Sequence, residues 1–135
     1  MLDLGIENID LLQKGLYAAT VRNNVIANNI ANVDTPNFKR SEVKFEDILK
    51  DAINGTKLRG YVTNPKHIPI GPPAIDSIQP EIVQVNDTSM RLDGNNVDID
   101  AEMANLAKNQ LYYYALVQRV NGELNSIMTA VKDGR

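Results

Sequence analysis

Few residues in this chain are of a type and spacing that could do chemistry. His67, in Asn64-Pro65-Lys66-His67-Ile68-Pro69, is the sole histidine and the only side chain that titrates near neutrality. General acid–base work would need a carboxylate or nucleophile held beside it, and the flanking prolines offer no rigid frame. The run Asp93-Gly94-Asn95-Asn96-Val97-Asp98-Ile99-Asp100 places side-chain oxygens at alternating positions, as a calcium loop does. It lacks the glycine at the sixth position, and Ala104 stands where the bidentate Glu belongs, so the run reads as a turn leading into a helix cap. Glu46-Asp47 and Asp98/Asp100 sit at expected helix starts, where carboxylates complement the helix dipole without catalytic purpose. With no phosphate loop, no zinc-protease motif and no Cys, the expectation is a non-enzymatic chain with no catalytic residues, no cofactor and no metal.

What must be positioned is therefore apolar surface. The chain has 135 residues, a net charge of −3, 43% hydrophobic and 5% aromatic residues and no Trp, so its core is aliphatic and modest. An acidic balance without a Lys/Arg-dominated run argues against nucleic acid. No stretch approaches the roughly 20 apolar residues that span a bilayer. The N-terminus carries acids where a secretory signal carries Lys or Arg, so no cleaved signal is expected.

All six prolines fall between residues 36 and 80, which confines long helices to the two ends. Steps of three and four from Leu2 run through Ile9, Leu12, Leu16, Ala19, Asn23, Ile26, Ile30 and Val33. The same count from Ile99 gives Met103, Leu106, Gln110, Tyr113, Val117, Val120, Leu124, Ile127 and Val131. Both read as heptad seams on helices of about 30 residues. The expected fold is mainly α: two long terminal helices paired as an antiparallel coiled-coil-like hairpin, with a small irregular α/β insert between them. The expected divisions are residues 1–35, 36–97 and 98–135.

Asp34-Thr35-Pro36 should stop the first helix and Asp98 with Asp100 should start the last. In the insert, residues 45–53 have helical spacing ended by Asn54-Gly55, residues 65–80 read as extended chain and turns, and residues 81–85 as a strand. Two features do not fit a simple hairpin. A second apolar line, Leu4, Leu11, Ala18 and Val25, lies opposite the first seam, and with no third long helix it is expected to meet another chain. Among 16 Asn, residues 23, 24, 28, 29 and 32 crowd the end of the first helix, although Asn is a poor helix former. Such amides suit polar registration inside a packed interface, with Asn23 and Gln110 in seam slots. The order of this helix is thus expected to depend on assembly, and an adaptor or regulator built on a coiled coil is the alternative.

The run Ala27-Asn28-Asn29-Ile30-Ala31-Asn32-Val33-Asp34-Thr35-Pro36-Asn37-Phe38-Lys39 resembles the N-terminal signature of the bacterial flagellar rod and hook protein family. That signature is Ala-Asn-Asn-hydrophobic-Ala-Asn, then Thr-x-Gly and an aromatic residue. Asn37 stands where Gly is common, and both residues tolerate positive φ. Residues 91–111, followed by Tyr114-Ala115-Leu116-Val117, are similar to the membrane-proximal rod subunits of that family, as is Asn64-Pro65-Lys66-His67-Ile68. The resemblance implies a structural subunit of the flagellar basal body, exported unfolded through the flagellar type III channel and polymerised beneath the hook. Its implied partners are copies of itself, rod proteins of the FlgC, FlgF and FlgG types, the MS-ring adaptor FliE, the MS ring and the export gate. A paralogue such as FlgC is the nearest alternative. On this reading Asn28, Asn29, Ile30, Ala31, Asn32, Thr35, Pro36 and Phe38 form the assembly motif. Ile9, Leu12, Leu16, Ile26, Ile30, Met103, Leu106, Tyr113, Val117, Val120, Leu124 and Ile127 carry the helix packing.

Overall fold

A computed structural model describes residues 2–54, 77–86 and 92–133. The elements are α1 (Leu2–Ala31), β1 (Ser41–Lys44), α2 (Glu46–Asn54), β2 (Glu81–Gln84) and α3 (Ile99–Asp133). The proline-free ends form the two long helices, of 30 and 35 residues, about 45 and 52 Å at 1.5 Å per residue. They run antiparallel: Asn29 meets Glu102, Ala19 meets Asn109 and Gly15 meets Leu116, so numbers rise on one helix as they fall on the other. The fold is mainly helical, with the small sheet between the long helices, as the sequence leads one to expect.

The contact line of this pair is more polar than the heptad count. On α1, Gly15, Ala19, Ile26 and Asn29 are buried; on α3, Glu102 and Asn109 are. Small residues let the backbones approach: a Cβ added at Gly15 would lie 3.3 Å from Leu116 Cδ1. Of the apolar residues counted into the seams, Ala19 and Ile26 are buried. Ile9, Leu12, Leu16, Ile30, Leu106, Val117, Val120 and Ile127 are half-buried, and Met103, Tyr113 and Leu124 are exposed. Asn23 and Gln110, the expected polar seam residues, are exposed, and Asn29 and Asn109 take that place instead.

Ala18 and Val25 of the second apolar line of α1 are buried by the chain itself, contrary to expectation. Ala18 packs against Phe45 and Ile78, and Ile48, Leu49 and Ala52 of α2 close over this cluster. A short amphipathic helix is enough to cover a line whose central residue is only an alanine. The Phe45 carbonyl accepts the Leu49 N–H at 2.9 Å, so α2 begins where the burial begins. β1 and β2 pair antiparallel with Ser41 opposite Gln84 and Lys44 opposite Glu81. β2 falls where a strand is expected. β1 is an addition: Ser41-Glu42-Val43-Lys44 has one apolar residue and no strand signature of its own. His67 and most of the stretch expected to be extended, residues 65–80, lie outside the described residues.

Candidate functional site

The end of α1 and the start of α3 meet, and asparagines on both sides hold the junction together. Each uses its amide as a stand-in for a peptide group, one donor and one acceptor in a fixed plane. Asn95 lies beneath the turn that follows α1. Its Nδ2 donates to the carbonyls of Asn32 (3.0 Å), Val33 (3.0 Å) and Thr35 (2.9 Å), and its Oδ1 accepts the Val97 N–H at 2.7 Å. Asn95 thereby holds the turn after one long helix while shaping the entry to the other.

Asn96 extends the sheet by one rung. The Val85 N–H reaches the Arg40 carbonyl at 2.9 Å, while the reciprocal pair is bridged by the Asn96 side chain. Its Oδ1 accepts the Arg40 N–H and its Nδ2 donates to the Val85 carbonyl, both at 2.7 Å. Asn29 does the same on the opposite edge of β1. It donates to the Ser41 carbonyl at 2.8 Å and accepts the Ser41 N–H at 3.0 Å, and its Nδ2 also reaches Glu102 Oε2 at 3.1 Å. Asn29, Asn95 and Asn96 are each at most 2% exposed, and every amide oxygen and nitrogen among them is partnered, which is what makes buried amides tolerable.

The turns are equally constrained. Asn37 has φ +59° and Gly94 φ +81°, the left-handed region that asparagine tolerates and glycine enters freely. The Asn37 N–H donates to the Asp93 carbonyl at 2.9 Å, and a Cβ on Gly94 would lie 2.7 Å from Asn37 Oδ1. Asp93 Oδ1 accepts the Asn95 N–H (3.1 Å), and Asp98 Oδ1 caps α3 through Asp100 (3.0 Å) and Ala101 (3.3 Å). The carboxylates of the calcium-like run are thus engaged in a turn and a cap.

The signature residues are placed unequally. Asn29 is buried; Asn32 and Phe38 are half-buried, as is Ile30; Asn28, Ala31, Thr35 and Pro36 are exposed. Asn32 Nδ2 donates to the Asn28 carbonyl at 2.8 Å, and Asn32 Oδ1 accepts the Thr35 hydroxyl at 3.2 Å. Missing from the sequence reading were Asn95, Asn96 and Glu102 as partners of this motif. Their density of amides was visible; their pairing across some 60 residues of chain was not.

Beyond the junction, a groove of ≈ 480 Å³ runs between α1, β1 and α3, with Val25, Ile26 and Val43 among its apolar lining. Arg22 and Glu46 form an ion pair across it, and Arg40 lies 3.7 Å from Glu102 and 3.4 Å from Glu42. Burial raises the Glu46 pKa. The Arg22 hydrogen bond, the backbone hydrogen bond of Glu46 and the charges of Arg22 and Lys108 outweigh it, leaving the carboxyl below its ordinary value of 4.5. Burial and the Glu46 charge push the Tyr112 phenol up.

Outward of the pair, α3 presents a long uncovered stripe: Leu111, Val131 and Tyr114 are 73%, 69% and 64% exposed, and Ile99, Met103, Leu124 and Met128 are exposed too. No helix among the described residues is long and apolar enough to cross a membrane, so the stripe is not part of a span.

Comparison with known proteins gives these surfaces a context. The family profile described as "Flagella basal body rod protein" matches residues 9–39, the stretch running from the helix pair through the asparagine motif. The chain is 41% identical over 127 residues to the flagellar basal body rod protein FlgB of Bacillus subtilis, covering 94% of this chain and 95% of that one. It is 42% identical over 124 residues to FlgB of Borrelia hermsii, covering 78% and 82%. Over 139 residues it is 30% identical to FlgB of Proteus mirabilis, covering 99% and 100%.

Proposed function

The chain belongs to the FlgB family of flagellar basal body rod proteins, structural subunits of the basal body, and from that premise we propose how its surfaces are used. The α3 stripe packs against neighbouring subunits, so that the long helices build the wall of an axial tube that transmits torque and encloses the export channel. The single observation that carries this reading is the length of that stripe: exposed large apolar residues recur from Ile99 to Val131, far more than an isolated helix pair leaves in water. Interdigitated helices resist twisting because torsion must shear close-packed side chains rather than bend loops.

The residues of the asparagine motif, Asn28 to Phe38, hold each subunit in the shape that the polymer accepts. Ile9, Leu12, Leu16, Ile26 and Ile30 on α1, with Met103, Leu106, Tyr113, Val117, Val120, Leu124 and Ile127 on α3, supply packing within and between chains. The partners are other copies, rod proteins of the FlgC, FlgF and FlgG types, FliE, the MS ring and the export gate. Delivery is through the flagellar export channel. Family membership supports these assignments.

Leu111→Asp tests the proposal cleanly, because an exposed leucine contributes little to the lone chain. The variant should keep wild-type helicity by circular dichroism yet fail to enter basal bodies and abolish swimming, since a charge would be buried at a subunit contact. Normal swimming by Leu111→Asp would contradict it.

A further inference from the structure

The groove between α1, β1 and α3 has polar groups in its walls that nothing among the described residues satisfies. The β1–β2 register pairs Arg40 with Val85 and Glu42 with Val83, so the backbone groups of Ser41 and Val43 point away from β2. At Ser41 both are taken by the Asn29 amide, which shows that this edge faces the long helices. Val43, one outward rung on at about 6.8 Å, lines the groove, and its outward N–H and C=O meet no partner among the described residues. Two helical turns along α3 from Glu102, Asn109 also lines the groove at 4% exposure. Its Nδ2 donates to the Ala19 carbonyl at 2.9 Å, while its Oδ1 is buried and unpaired. Lys108 at the rim makes no ion pair among the described residues and acts on Glu46 only through space.

A buried amide oxygen without a donor is destabilising, and an open strand edge invites another strand. We propose that this groove receives a single extended peptide segment of a neighbouring subunit, laid along β1 beyond Asn29, with a carboxylate that meets Lys108. Only main chain presents donors and acceptors in alternation along a rod of strand width, and so can serve Val43 N–H, Val43 C=O and Asn109 Oδ1 together. A helix has free backbone groups only at its ends, not along its length. A hairpin or sheet edge would carry a second strand into α1 or α3, so the occupant is one strand and no more. Val25 and Ile26 then take its apolar side chains.

The inference rests on reading the chain as a rod subunit, and the test separates the two. A photo-crosslinking residue, p-benzoylphenylalanine, is placed at Tyr112 in the groove or at Tyr114 on the outer stripe, in the full chain in motile cells. Adducts are mapped by mass spectrometry in isolated basal bodies. The groove probe should join a non-helical, acid-containing peptide of another rod subunit, and Lys108→Glu should cut that adduct about tenfold with the thermal transition unchanged. An adduct from the stripe probe alone, or a groove adduct only within the same molecule, at monomer mass, would overturn the groove proposal and leave the rod reading intact. Absence of rod-protein adducts from both probes would remove the rod reading as well.

Discussion

Asparagine does at the junction what backbone does elsewhere, and so its removal should be felt as lost secondary structure. Asn95 serves three carbonyls of the turn after α1 and the Val97 N–H ahead of α3 at once. Asn95→Ala is expected to lower the stability of the chain by about 2–3 kcal/mol, measured by urea unfolding, because a fully buried side-chain amide is lost with its four hydrogen bonds. Glu46 gives a pH signature. Its folded pKa lies below the unfolded value, so the Arg22 pair adds stability above that unfolded value, which is lost as pH falls through the folded one. Unfolding followed below pH 4.5 should show a steeper loss for the natural chain than for Glu46→Gln; identical slopes would mean the pair contributes nothing. The pair is half-exposed, and the difference should be modest.

At the level of elements, the long helices were legible because proline is absent from both ends and apolar residues recur at helical spacing. Their contact line was less so. A count of apolar residues finds Met103 and Leu124, which the chain leaves exposed, and passes over Glu102 and Asn109, which it buries. Hydrophobic periodicity reports that a helix has an apolar face without saying which of two faces its own chain covers. β1 was illegible for a related reason: it is a strand because Asn29, Asn96 and β2 supply its hydrogen bonds, and none of these is local. The asparagine cluster stood out as a conflict with helix propensity, and that conflict marked the junction, though not the partners. Gly122 tests the reading of α3 as a helix open on its outer side. Nothing lies within 4 Å of an added Cβ, so Gly122→Ala should raise stability by about 0.5–1 kcal/mol and increase helicity by circular dichroism. A loss of stability would mean that the site is occupied within the chain.

For the molecule as a whole, the division of labour is between an asparagine junction that is polar and partnered and a face of α3 that is apolar and bare. The insert covers α1 through Phe45 and Ile78, so the unmet surface is concentrated on α3. A subunit built this way folds around its own junction and keeps its adhesive face for the polymer. Two native residues report on that face: Met103 and Met128 are 52% and 53% exposed and open to oxidation by peroxide. Their oxidation rates, read by mass spectrometry, should be close to those of a free peptide in the isolated chain and at least about tenfold slower in intact basal bodies, where neighbouring helices exclude the oxidant. Equal rates in the two states would show the stripe still facing water after assembly, and the central claim would fail.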